Sequence, residues 1–154
     1  MRNTTLCYIE KDGKYLMLHR IKKENDLNHD KRIGVGGKFE DKESPEECVI
    51  RETLEETGLL LKKIEYKGII TFISDIWETE YMHLFVGKEF EGEIKECDEG
   101  VLEWVDKDKV AELPSWEGDR LFLELMTKDV PFFSMKLVYE GDRLVEAKLN
   151  NEKI

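Results

Sequence analysis

The sequence predicts one α/β domain spanning residues 1–154. Three observations predict it. Two segments carry helix start and stop signals, alternating apolar runs of strand length surround them, and no repeat, low-complexity tract or linker divides the chain. A domain of this length buries roughly 70% of the surface its unfolded chain exposes, so neither a disulfide nor a metal is required for folding.

Thr4 to Glu10 and Lys14 to Arg20 are apolar-rich runs flanking Lys11-Asp12-Gly13, whose Asp-Gly pair signals a hairpin. Residues 21–31 are polar and aperiodic, and read as a loop. Gly34-Val35-Gly36-Gly37 follows, with glycines that permit close backbone approach. Ser44 then caps a first helix, Pro45 opens it, Glu47 completes a Ser-x-x-Glu capping box, and Gly58 ends it. Ile64 to Ser74, Glu80 to Val86 and Val101 to Val105 read as strands, the first two joined by the polar stretch Asp75 to Thr79. Asp106 to Leu113 reads as a short helix stopped by Pro114. Ser115 caps a second long helix running to Thr127, with Leu121, Phe122, Leu125 and Met126 as its apolar stripe. Phe132 to Tyr139 and Arg143 to Leu149 form a closing hairpin around Glu140-Gly141-Asp142.

The formal charge is −11, from 35 acidic and 24 basic residues, which argues against polymeric nucleic acid as a partner. A small phosphorylated ligand is compatible with it, because a divalent cation between carboxylates and phosphates reverses the local sign. Cys7, Cys48 and Cys97 are odd in number and widely spaced, matching neither a disulfide framework nor a zinc motif. No apolar stretch approaches the roughly 20 residues of a membrane span. The expectation is a soluble cytoplasmic protein with no membrane association and no obligate protein partner.

On the first helix, Glu52, Glu55 and Glu56 stand at i, i+3 and i+4, which gathers three carboxylates on one face. Glu52 meets Glu56 one turn on, and the residue four after Glu55 is Leu59, so neither has a cation in the following turn. Ile50 and Leu54 are expected to bury on the opposite face. Hard oxygen ligands without an accompanying His or Cys suit magnesium or manganese rather than zinc. A solvated acidic face is the competing reading, and these three residues alone do not decide between them.

The segment from Gly37 to Leu59 resembles the Nudix box, G-x5-E-x7-R-E-U-x-E-E-x-G-U with U a bulky aliphatic. Every fixed position matches, and Thr53 at the first aliphatic position is the one departure. The resemblance implies an α/β/α sandwich with a mixed β-sheet, the box helix on one side and the second helix on the other. It also implies Glu52, Glu55 and Glu56 as Mg2+ ligands (Mn2+ a substitute), the Gly36 carbonyl as a further ligand, and Arg51 as the residue that orients Glu52. Gly37, Glu43 and Gly58 would be structural, with Glu43 bonded toward Arg51. The implied reaction is attack of a metal-activated water on a pyrophosphate linkage. Its general base is either a box glutamate or Glu99, whose acidic stretch, Glu96 to Glu99, supplies an additional metal ligand in relatives. An exposed turn carboxylate is the alternative for Glu99.

Beyond the box the chain is most similar to MutT-like 8-oxo-dGTP diphosphatases. The similar segments are Leu16 to Arg20 with Ile33 to Lys38, Leu102 to Val105, Trp116 to Asp119, and Phe132 to Tyr139. In the human-type enzyme a Trp and two adjacent Asp stack on and read the purine. Trp116 and Asp119 match, Gly118 replaces the first acid, and Ile33 stands where that relative has a base-binding asparagine. An indole offers a flat apolar face and a carboxylate accepts from the guanine edge, although Trp116 serves equally well as core filling. Arg20, Lys22, Lys23 and Lys38 lie near the implied phosphate site. The absence of proline between Pro45 and Pro114 argues against an ADP-ribose hydrolase. Two other readings stay open: a broad house-cleaning triphosphatase, and a nucleotide-binding regulatory Nudix domain without catalysis, which intact box residues disfavour.

Overall fold

The computed structural model describes residues 1–22 and 29–154. Lys23 and the middle of the loop expected over 21–31 lie outside the described residues. Elements run β1 (Arg2–Lys11), β2 (Lys14–His19), β3 (Arg32–Ile33), α1 (Pro45–Thr57), β4 (Leu60–Ser74), β5 (Glu80–Glu91), β6 (Val101–Asp106), a 3-10 turn (Val110–Glu112), α2 (Asp119–Met126), β7 (Phe133–Glu140), β8 (Arg143–Leu149) and β9 (Glu152–Lys153).

The sheet is mixed, ordered β3-β2-β1-β5-β4-β7-β8-β9, with β6 on β2. β1 runs parallel to β5 and β4 parallel to β7, while the other pairs are antiparallel. Strand alternation builds two cores. Tyr8, Tyr15, Met17, Leu84 and Val86 face α2 through Phe122, Leu123 and Met126. Cys7, Ile9, Leu16, Leu18 and Phe85 face α1 through Val49. The two helices therefore cover opposite sides, as the α/β/α sandwich requires.

The first hairpin is closed by Asp12 and Gly13, both at positive φ (51° and 76°), the backbone an Asp-Gly turn supplies. β1 and β2 pair only at Glu10↔Tyr15 and Lys11↔Lys14 before they diverge. Residues 35–38 fill that opening: the Cys7 N–H donates to the Val35 carbonyl at 2.6 Å and the Thr5 N–H to the Gly37 carbonyl at 2.9 Å. This divergence carries the glycine turn beneath the helix that bears the glutamates.

Several expectations are corrected. β4 begins at Leu60 rather than Ile64, because register shifts at Leu61/Lys63, Lys63/Ile64 and Tyr66/Gly68 break the period-2 pattern. β5 continues to Glu91 through a charged end that reads as loop. Ser115 does not cap a helix: its hydroxyl donates to the Trp116 carbonyl, and α2 starts at Asp119 after a turn. The helix expected over Asp106 to Leu113 shrinks to one 3-10 turn. Along α1 the buried stripe is Val49, Thr53 and Thr57, while Leu54 is 43% exposed and Ile50 only partly covered. Apolar size misplaced the stripe by about 100° of helix rotation.

Candidate active site

Helix α1 forms where its caps require. The Ser44 hydroxyl accepts from the Glu47 N–H at 3.0 Å, the Glu47 carboxylate accepts from the Ser44 N–H at 2.9 Å, and Gly58 closes the helix in the left-handed region. Glu52, Glu55 and Glu56 consequently line one wall of a cleft of about 790 Å³. Gly36, Gly37, Lys38 and residues 95–99 line it as well, together with Ile33, Trp116 and Asp119.

Arg51 lies behind the glutamates. Its Nε and Nη2 donate to the two oxygens of Glu43 at 2.6 and 2.9 Å, and Nη2 also reaches the Lys38 carbonyl at 3.0 Å. Its Nη1 donates to Glu52 Oε1 at 2.8 Å and to Glu55 Oε2 at 3.2 Å. Arg51 holds the Glu43 carboxyl down at about 2, well below the usual carboxylate range. Glu56 behaves oppositely. Burial, with the charges of Glu99 and Glu52, pushes it up to about 8 against the Gly36 N–H, which donates to its Oε2 at 3.0 Å.

Only Gly36 of the two glycines in this turn is blocked by backbone; at Gly37 a side chain would have to displace a carboxylate. A Cβ on Gly36 would lie 2.0 Å from the Thr5 carbonyl oxygen, and one on Gly37 would lie 2.3 Å from Glu52 Oε2. Among the described residues no three carboxylates already converge on one metal-binding centre. Arg51 and the Gly36 N–H each draw an oxygen aside. Glu52 Oε2, Glu55 Oε1 and Glu56 Oε1 are left without a hydrogen-bond or ion-pair partner among the described residues. Three such hard donors beside a backbone turn fit a divalent cation.

Arg20, expected to steady phosphates, donates to Glu99 at 2.8 Å, which places Glu99 on the cleft wall facing Glu56. Lys22 turns away, to the Cys97 carbonyl at 2.6 Å and Glu96 at 3.3 Å. Trp116 is 8% exposed, packed edge-on against Phe72 and Tyr139 at centroid distances of 5.3 and 5.0 Å. It fills the core and lines the cleft together. Asp119 is buried beside it, its carboxyl pushed up to about 7 by that burial against the Trp116 N–H and the Lys31 charge. Gly118 has no room for an acid, since a Cβ there would lie 2.7 Å from both Leu137 Cδ1 and Tyr139 Oη.

Sequence reading missed Leu6, Phe72, Met82 and Trp77, which also line the cleft. Trp77, 45% exposed in a polar turn, was visible as an anomaly. The others needed knowledge of which strands adjoin.

A family model for the NUDIX domain matches residues 1–126. The chain belongs to the Nudix family. This Nudix hydrolase is 34% identical over 148 residues to the oxidized purine nucleoside triphosphate hydrolase of Danio rerio, covering 95% of this chain and 92% of that one. It is 33% identical over 133 residues to the Nudix hydrolase YvcI of Bacillus subtilis, covering 83% and 80%. Its fold superposes on the crystal structure of the mutator MutT protein of Bacillus halodurans with a TM-score of 0.86, at 32% identity and 99% coverage of both chains. Nudix hydrolases generally use divalent metal ions and act on small nucleotide substrates. No helix among the described residues is long and apolar enough to cross a membrane.

Proposed function

We infer that this Nudix hydrolase cleaves 8-oxo-dGTP to the monophosphate and pyrophosphate with Mg2+, clearing an oxidised precursor from the nucleotide pool. The observation that carries the reading is the cleft itself: three glutamates with an uncommitted oxygen each at one end, and Trp116 with Asp119 at the other. Glu52, Glu55, Glu56 and the Gly36 carbonyl would hold the cation, with Glu99 on the adjoining wall. A bound magnesium ion supplies an activated water and charge stabilisation on the phosphate oxygens. Arg51 orients Glu52 and is itself fixed by Glu43. Glu56 or Glu99 takes the proton from the attacking water, and Lys38 faces the phosphates. The likeness to an oxidized purine nucleoside triphosphate hydrolase supports the choice of substrate.

A second reading, broad house-cleaning of nucleoside triphosphates, is favoured by Ile33 and Gly118, which remove two polar groups from the base end of the cleft. Monophosphate and pyrophosphate release from 8-oxo-dGTP, dGTP, the other triphosphates and ADP-ribose separates them. A kcat/KM for 8-oxo-dGTP at least tenfold above the rest supports sanitation. Flat activity across triphosphates favours house-cleaning.

A further inference from the structure

Beside the base end of the cleft lies a cation that the motif does not account for. Lys31 Nζ lies 4.8 Å from the centroid of the Trp116 ring, in cation–π contact. Arg32 pairs with Glu103 at 2.6 Å, and Ile33 lines the cleft; Lys31, two residues before Ile33, reaches the cleft through its contact with the lining Trp116 ring. The Lys31 charge also acts on the buried Asp119 carboxyl. Lys31 and Asp119 thus bracket the indole on which a base would stack.

These two groups read a base differently. Asp119, poised near 7, passes between acceptor and donor at ordinary pH, so it accommodates either an N1–H or a bare N1. An ammonium group only donates. Its four-carbon stem lets Nζ leave the ring when a base stacks there and swing to the base's edge. Next to N1 a 6-oxopurine presents a carbonyl acceptor, and a 6-aminopurine presents two N–H donors that an ammonium repels. Gly118 and Ile33 supply no side chain able to compete for that edge.

We propose that Lys31 is the specificity-determining residue of this site, selecting purines with a 6-carbonyl oxygen over purines with a 6-amino group. The proposal rests on the nucleotide-hydrolase reading above and deepens it. The test compares inosine triphosphate with adenosine triphosphate, which differ only at this edge, in the wild type, K31M and K31R with magnesium. The wild type should favour inosine triphosphate by tenfold or more in kcat/KM, K31M should bring the ratio within about twofold of unity, and K31R should keep the preference. A wild type without preference, or an unchanged ratio in K31M, overturns the proposal. If no triphosphate is hydrolysed, the function reading fails by itself, and the same ratio is read from calorimetric affinities for the two nucleotides.

Discussion

Arg51 ties Glu43 to Glu52: one face of its guanidinium fork holds both oxygens of Glu43, and Nη1 holds Glu52 Oε1 at 2.8 Å. The arrangement fixes where the free oxygen of Glu52 points, and Arg51 thereby positions the carboxylate wall of the cleft. Arg51→Lys cannot reproduce the two-pronged grip. It should lower kcat by about 10- to 100-fold, the usual consequence of loosening the support of a metal ligand, with a far-ultraviolet spectrum like the wild type. Undiminished kcat would contradict the positioning role.

Gly37→Ala should act on the same oxygen from the other side. With a methyl carbon placed 2.3 Å from Glu52 Oε2, the carboxylate must move. Magnesium titrations of activity should show a half-saturating concentration raised tenfold or more, while Gly13→Ala, whose Cβ meets nothing within 4 Å, leaves it unchanged.

Thr53 carries a prediction for stability. Its hydroxyl is buried in the α1 core beside the Cys7 thiol, with no partner among the described residues at good hydrogen-bond geometry. Thr53→Val keeps the shape and removes the stranded polar group, so unfolding by urea should show a gain of about 1 kcal/mol. A loss would mean that the hydroxyl is satisfied in solution.

Asp119 should make stability depend on pH. Its folded carboxyl sits near 7, above the ordinary 3.8, so the folded state binds more protons between those values. Its contribution is complete below about pH 4 and declines as pH rises to about 7, by up to roughly 4 kcal/mol. Asp119→Asn should therefore lose much of the fall in Tm between pH 5 and pH 8 that the wild type shows. Parallel Tm curves for the two proteins would contradict this.

Helix α1 is legible in the sequence because its signals are local: Ser44, Pro45, Glu47 and Gly58 act within a turn of themselves. The grouping of Glu52, Glu55 and Glu56 follows from the same local geometry. What lies beyond local reach was missed. The bulged start of β4 hides its alternation, the buried stripe of α1 is set by what β1 and β4 present to it, and Ser115 loses its cap to a turn that Trp116 anchors in the core. Phe72 and Met82 join the cleft only through strand neighbours distant in sequence. Arg20 lines the cleft, and its pairing with Glu99, 79 residues away, is invisible without the fold.

The account turns on a divalent cation held by the α1 carboxylates. The most direct measurement is pyrophosphate release from 8-oxo-dGTP as magnesium is titrated into metal-free wild type, Glu52→Gln and Glu56→Gln. Release should be absent in EDTA, recover saturably in the wild type, and fall at least 100-fold in both variants with Tm in EDTA unchanged or raised. Turnover that persists in EDTA, or variants matching the wild type at every magnesium concentration, would contradict the metal site.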